Sequence, residues 1–318
     1  MVGFDRSRSL GEAAATTASS NFKNTIYGMK RLVGLTYEQA LPEIQKWCLF
    51  SCVPFERASG PPSVGVQVQF NDETLVLPVE AVAGMMVKHL GTIAAARAAP
   101  PSNDAAAVIN IPQDWVIGIP AYYTDAQRRS LLVGCEIAGI QGVQRLMHES
   151  TAVALSYGIF KDLKKEFTEP TSVMFIDIGA TQYCCSIATF ETGKLAIRAV
   201  HFDENLGGRD FDLEIAEWIS NQFVAKYGNK LSGKPMEKPK TRLKLLAAAE
   251  KAKKTLSPQG VKEVSINLEC LMDDFDFHTN LSAAEYEKMC QPLLARLNGP
   301  VERCLKEVGL SASDLSSV

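Results

Sequence analysis

Four short segments carry the residues able to do chemistry. In Phe175-Ile176-Asp177-Ile178-Gly179-Ala180-Thr181 an apolar run ends in an acid and passes into small residues. Small residues let backbone N–H groups approach a phosphate closely, and the Asp suits a metal held through water. Taken alone, the segment is equally an ordinary hairpin turn with a capping Asp. His148-Glu149-Ser150-Thr151-Ala152-Val153-Ala154 puts a carboxylate at a helix start, either as a cap favoured by the helix dipole or as an acid aimed at an inter-lobe cleft. Glu250, Lys253, Lys254 and Ser257 recur at i, i+3, i+4 and i+7 on one helix face. Such a face is commonly a salt-bridged solvent face; it is also able to clasp a nucleoside. Ile119-Pro120-Ala121-Tyr122-Tyr123-Thr124 followed by Asp125-Ala126-Gln127 reads as a strand end, a turn and a capped helix start.

The positioning elements are legible from periodicity and breakers. Residues 1–23 read as loop passing into a helix start, and Asn24 as the cap of a short helix through Arg31. Val64, Val66, Val68 and Phe70 alternate as a half-buried strand; Asn71-Asp72 turns it back into Thr74–Leu77. Pro78 opens a helix to about Ala98, Pro100 to Asp104 break the chain, and Trp115–Ile119 is a short strand. A helix from Thr124 ends near Gly139, Val143–Met147 is a strand, and Ser150 or Thr151 starts a helix to about Phe160. Ser172–Ile178, Tyr183–Phe190 and Lys194–Phe202 form an antiparallel meander. Gly207-Gly208 precede a helix Asp210–Tyr227, and a second helix covers Thr241–Leu256. Val264–Leu268 and Phe275–Thr279 are strands, and Ser282 starts a final helical region.

Composition excludes several classes. The chain has 318 residues, long enough for two lobes, with 46% hydrophobic and 22% charged residues. A net charge of −3 gives no footprint for nucleic acid. No stretch is expected to reach the roughly 20 apolar residues of a membrane span, and the first residues do not read as a secretory signal. The eight cysteines form no CxxC pair and read as structural thiols of a reducing cytosol, the adjacent Cys184 and Cys185 having at most a minor redox role.

Together, and in this order, the four segments resemble the ATPase domain of the seventy-kilodalton heat-shock chaperones. Asn24-Thr25-Ile26-Tyr27-Gly28-Met29-Lys30-Arg31-Leu32 and Leu206-Gly207-Gly208-Arg209-Asp210-Phe211-Asp212 extend the match essentially end to end. His148-Glu149-Ser150-Thr151, Gly179-Ala180-Thr181 and Ser156-Tyr157-Gly158-Ile159-Phe160-Lys161 look like the large hundred-and-ten-kilodalton branch.

The resemblance implies an α/β, actin-like ATPase (ribonuclease H-like) fold. It has two lobes, residues 1–168 and 169–318, each a mixed sheet with flanking helices. It implies ATP or ADP with Mg as ligands. Lys30 then matches the lysine that reaches the transferred phosphate, Glu149 the carboxylate near the attacking water, and Asp177 an acid that holds the metal through water. Gly179 falls in the second phosphate loop, and Gly207 and Gly208 are the pair whose backbone approaches the nucleotide. Glu250, Lys253, Lys254 and Ser257 form the adenosine clasp. The implied function is that of a chaperone acting as nucleotide-exchange factor for a smaller heat-shock chaperone. Its clients would be unfolded proteins taken by a region beyond residue 318, and its place the cytoplasm, with the nucleus as alternative; no membrane or nucleic acid is involved.

Three departures qualify this. Cys184 stands where the main class carries an acid, and Gln182 where it carries Thr; a thiol does not replace a carboxylate in orienting water. At most slow hydrolysis is expected, against the alternatives of a foldase with its own hydrolytic cycle or a remnant that holds no nucleotide. The family's first phosphate loop and its metal-binding Asp find no match before Met1, and its closing Gly-Gly-x-Thr-Arg-Ile-Pro none after Val318. The fold is therefore expected to be incomplete at both ends and less stable than a full domain. A sugar or acetate kinase of the same superfamily is disfavoured by the stretches Ile119–Arg129 and Glu250–Ser257.

Overall fold

The computed structural model describes residues 1–98, 111–164 and 166–318. The expected breaker cluster at 100–104 lies outside them. In chain order come β1 (Val2–Phe4), β2 (Arg8–Leu10), α1 (Glu12–Thr17), β3 (Thr25–Ile26), α2 (Tyr37–Trp47), β4 (Ser51–Phe55), β5 (Ser63–Phe70), β6 (Glu73–Pro78) and α3 (Val79–Ala98). Then follow β7 (Trp115–Ile119), α4 (Asp125–Ile137), β8 (Val143–His148), α5 (Glu149–Leu163), β9 (Thr171–Ile178), β10 (Tyr183–Glu191) and β11 (Lys194–Asp203). The chain closes with α6 (Gly208–Tyr227), α7 (Pro239–Leu256), β12 (Glu263–Met272), β13 (Phe275–Ser282) and α8 (Ala283–Val308). Two compact units result: residues 1–119 with 123–147, and residues 120–122 with 148–318.

In the first unit, sheets β2-β1-β3 and β4-β5-β6 surround a core of Val2, Phe4, Ile26, Val64, Val66 and Val82. The period-2 pattern of β5 works as expected: Val64, Val66 and Val68 are buried while Gln69 faces out. Asn71 and Asp72 adopt positive φ (50° and 63°), the twist that a two-residue hairpin needs. α4 starts at a capping box, Thr124 accepting from the Gln127 N–H while the Gln127 side chain accepts from the Thr124 N–H. α3 and α4 cross at two glycines. A Cβ on Gly84 would fall onto the Gly134 carbonyl, and one on Gly134 onto the Glu80 carbonyl, so the backbones touch.

Four expectations for this unit need correction. Residues 1–23 contain β1, β2 and α1; three-residue strands are too short to show a period. No helix runs from Asn24 through Arg31, because Thr25–Ile26 pairs with β1 and Gly28 turns left-handed (φ 64°), leaving single 3-10 turns on either side. Pro78 ends β6, and the helix begins at Val79. α3, at 20 residues, is long and apolar enough to cross a membrane by length and composition, contrary to the expectation that no stretch is. Its buried residues Val79, Ala81, Val82 and Gly84 lie in the fold of this unit, against α4, β1, β5 and β6.

The second unit is built on the meander β11-β10-β9, antiparallel throughout. One of its faces packs with α8 through Met174, Tyr183, Cys185, Ile187, Leu293 and Cys304. The other packs with α5 through Ala154, Val173, Ala188 and Phe190. α5 starts at Glu149 and runs to Leu163, three residues past the expected end. A further core joins α6, α7 and the hairpin β12-β13 through Ile215, Ile219, Phe223, Leu245, Ile266 and Leu281. Ser282 caps α8, as its hydroxyl accepts from the Glu285 N–H.

Gly84→Ala tests the α3–α4 crossing. Alanine is the better helix former, yet the substitution is expected to destabilise the first unit by about 1–3 kcal/mol through overpacking. Gly139→Ala, where a Cβ meets nothing within 4 Å but φ is +77°, probes backbone strain alone and is expected to cost about 1–2 kcal/mol. Urea unfolding of the two variants measures both.

Candidate nucleotide site

The turn between β9 and β10 is fastened to the first turn of α6. The Gly179 N–H donates to the Gln182 carbonyl at 2.9 Å and closes the turn. The Gly208 N–H donates to the Gly179 carbonyl, and the Arg209 N–H to the Ala180 carbonyl, each at 2.9 Å. These donors belong to the helix start, which has no intrahelical partners for them. Gly207 has an extended backbone (φ −157°) open to any residue, so its requirement for glycine is steric. A Cβ there would lie 2.6 Å from the Thr181 nitrogen and 2.7 Å from the Ala180 carbonyl carbon. The Gly207 N–H in turn donates to Oδ2 of the buried Asp210 at 3.0 Å.

α7 locks onto the same place. Lys253 Nζ donates to the Gly208 carbonyl at 2.8 Å and forms an ion pair with Asp212 Oδ1 at 2.7 Å. Burial pushes the Asp212 carboxyl up from its ordinary value, against the pull of Lys253 in the other direction. Glu250 and Lys254 pair with each other at 2.7 Å on the exposed side of the helix, and exposed Ser257 follows its last residue. The expected clasp face is therefore divided: Lys253 turns inward onto α6, and Glu250, Lys254 and Ser257 remain at the surface.

On the strand side, Asp177 is exposed near the end of β9 and pairs across the ladder with Cys184 on β10. Burial first, and the carboxylates of Asp177 and Glu149 with it, push the Cys184 thiol up to about 12. Near neutral pH it is an uncharged thiol. Glu149, the first residue of α5, accepts from Gln182 Nε2 at 2.7 Å. Gln182 is 8% exposed, and its Oε1 has no hydrogen-bond partner.

The structure thus brings Glu149, Asp177, Gly179, Gly207, Gly208 and Lys253 to one turn and the elements fastened to it. Lys30 belongs to the first unit. It is exposed in the 3-10 turn Met29–Arg31, and its carbonyl accepts from the Tyr123 hydroxyl at 2.6 Å. Sequence reasoning missed Asp210 and Asp212 and saw Gln182 only as a departure from pattern. The spacing Gly207-x-x-Asp210 was a readable capping signal; no local signal links Asp212 to Lys253, which is 41 residues away.

The residues fit a magnesium nucleotide. Among the described residues no group of three His, Cys, Asp or Glu stands ready to ligate a metal directly. Hydrated Mg, which keeps several of its waters, needs only one or two carboxylates, and Asp177 supplies one. An added Cβ at Gly179 would meet nothing closer than 3.6 Å, so the turn has open space there, whereas the space beside Gly207 is taken by Ala180 and Thr181; the buried Gln182 Oε1 waits for a donor.

All of residues 1–318 match the family described as Hsp70 protein. The chain is 34% identical over 315 residues to "Heat shock 70 kDa protein 4L" of Homo sapiens, covering 98% of this chain and 35% of that protein. It is 34% identical over 329 residues to "Heat shock protein hsp88" of Neurospora crassa, covering 100% of this chain and 42% of that protein. "Heat shock 70 kDa protein 16" of Arabidopsis thaliana is 36% identical, with 100% and 39% covered. Relatives of the large branch that the sequence resembles stand among these, and the chain spans less than half of their length.

Raised thiols give the site a pH signature. A thiol pushed above its ordinary 9.0 favours folding while neutral, so this stability is present below about pH 9 and is lost as pH rises toward about 12. The melting temperature of the second unit is expected to fall across that window, and to fall less in Cys184→Ala. At about pH 8, iodoacetamide is expected to label the exposed Cys270 well ahead of Cys184, read by peptide mass spectrometry.

Proposed function

The chain belongs to the Hsp70 family, whose ATPase domain has the actin-like fold, and on that premise we propose that it binds ATP or ADP with Mg as a chaperone of the large branch. In this reading it docks on the ATPase domain of a smaller heat-shock chaperone, speeds ADP release from it and is at most a slow hydrolase itself. A cytoplasmic location suits that role. Unfolded clients would be held by a region beyond residue 318.

The observation that carries the reading is the junction of the 179–182 turn with Gly207–Arg209 and Lys253, residues far apart in sequence that converge where phosphates need bare backbone. Magnesium, when bound, neutralises phosphate charge. The chain's own residues do the rest. Asp177 would hold the hydrated ion through water. The 179–182 turn would meet the phosphate oxygens, its geometry fixed before the ligand arrives by the hydrogen bonds that tie it to the start of α6. Lys253 keeps α7 seated on α6, and the outward face of Glu250, Lys254 and Ser257 borders the nucleoside. Glu149 orients the attacking water. Cys184 offers no charge there, which supports slow turnover and favours a protein whose conformation follows binding more than hydrolysis.

Two measurements test this. Stopped-flow release of labelled ADP from the ATPase domain of a smaller seventy-kilodalton chaperone is expected to accelerate on adding the 318-residue chain; an unchanged rate opposes the exchange role. Cys184→Asp is expected to raise single-turnover ATP hydrolysis by about a hundredfold or more, within the range of a restored general acid–base group. A rate that stays at the parent level would place the limit elsewhere than the thiol.

A further inference from the structure

A carboxylate only accepts hydrogen bonds, so the 2.7 Å contact fixes Nε2 as the Gln182 atom facing Glu149. The amide oxygen Oε1 is thereby turned to the other side, buried and without a donor, in a side chain more than nine-tenths buried. A buried acceptor left in this way is costly and marks a place where a donor belongs. Water attacking phosphorus must aim a lone pair at it, which leaves its two O–H groups to be donated to two acceptors. Glu149 is one of them. Position 184, two residues further on in β10, holds a half-buried neutral thiol, a weak acceptor.

We propose that Gln182 is the positioning residue of this site: its Nε2 clamps the Glu149 carboxylate, and its Oε1 is the second acceptor for the attacking water. The inference rests on the nucleotide-binding reading above. In the step it serves, the water oxygen bonds to the terminal phosphorus. The bridging oxygen leaves with the electron pair of the broken bond, giving ADP and phosphate, and Glu149 takes the proton and returns it to solvent. Gln182 thus stands in for the acid this chain lacks, as an uncharged group that orients water without accepting its proton.

The test separates binding from chemistry. In Gln182→Ala, single-turnover hydrolysis at saturating MgATP is expected to fall about tenfold or more, while affinity for a fluorescent ADP changes less than about twofold. Because alanine leaves a gap, Gln182→Met, similar in length and without amide atoms, is run beside it and is expected to show the same split. In the nucleotide-free protein, the Gln182 side-chain amide protons are expected to exchange slowly in NMR spectra and to lose that protection in Glu149→Ala. An unchanged rate in both Gln182 variants, a parent chain that binds but does not hydrolyse, or an unprotected amide overturns the inference and leaves the binding reading standing. A parent chain that binds no nucleotide overturns both.

Discussion

Everything proposed for the second unit depends on how closely the backbone of Gly207 approaches that of Ala180 and Thr181. With no side chain at 207 the two segments meet at contact distance, and the unpaired N–H groups at the start of α6 are satisfied by carbonyls of the β9–β10 turn. That exchange fixes the turn against a 20-residue helix whose buried face runs through Leu213, Ile215, Ile219 and Phe223. The turn proposed to meet phosphate oxygens thereby inherits the rigidity of a packed core. Lys253 extends the arrangement to α7 by bonding to the Gly208 carbonyl, so three elements converge on two glycines.

The charges around this joint are arranged by burial. Asp212 and Lys253 are largely sheltered and paired to each other; removing either would leave the other poorly solvated, which makes the pair a structural commitment. Glu250 and Lys254, one turn away on the exposed side, are screened by solvent and free to exchange partners. Cys184 lies between Asp177 and Glu149 in influence, and their negative charge together with burial keeps its proton on. Position 184 carries a neutral thiol and position 182 an uncharged amide, so neither adds charge between Asp177 and Glu149.

Much of this is legible in the sequence alone. Capping boxes at Thr124/Gln127 and Ser282/Glu285, the alternation of Val64, Val66 and Val68, and the punctuated meander depend on neighbours in sequence, where side-chain periodicity reports directly. The short strands β1 to β3 were not legible, since two or three residues carry no period and their pairing is set by tertiary contacts. α2 was missed although Thr36 and Gln39 form a capping box, because Pro42 within it reads as a breaker. In the site, glycines and acids were found by pattern and by resemblance. Which way Lys253 points, and that Gln182 grips Glu149 33 residues earlier in the chain, follow from packing across strands and helices and leave no local trace.

The central claim, that the turn, α6 and α7 together form a working nucleotide site in this chain, is tested most directly by thermal melting with and without MgATP. Binding confined to the native state adds about 2.7 kcal/mol at a hundredfold excess over Kd, so a cooperative transition displaced upward by several degrees is the expected result. A transition at the same temperature in saturating MgATP would contradict the claim.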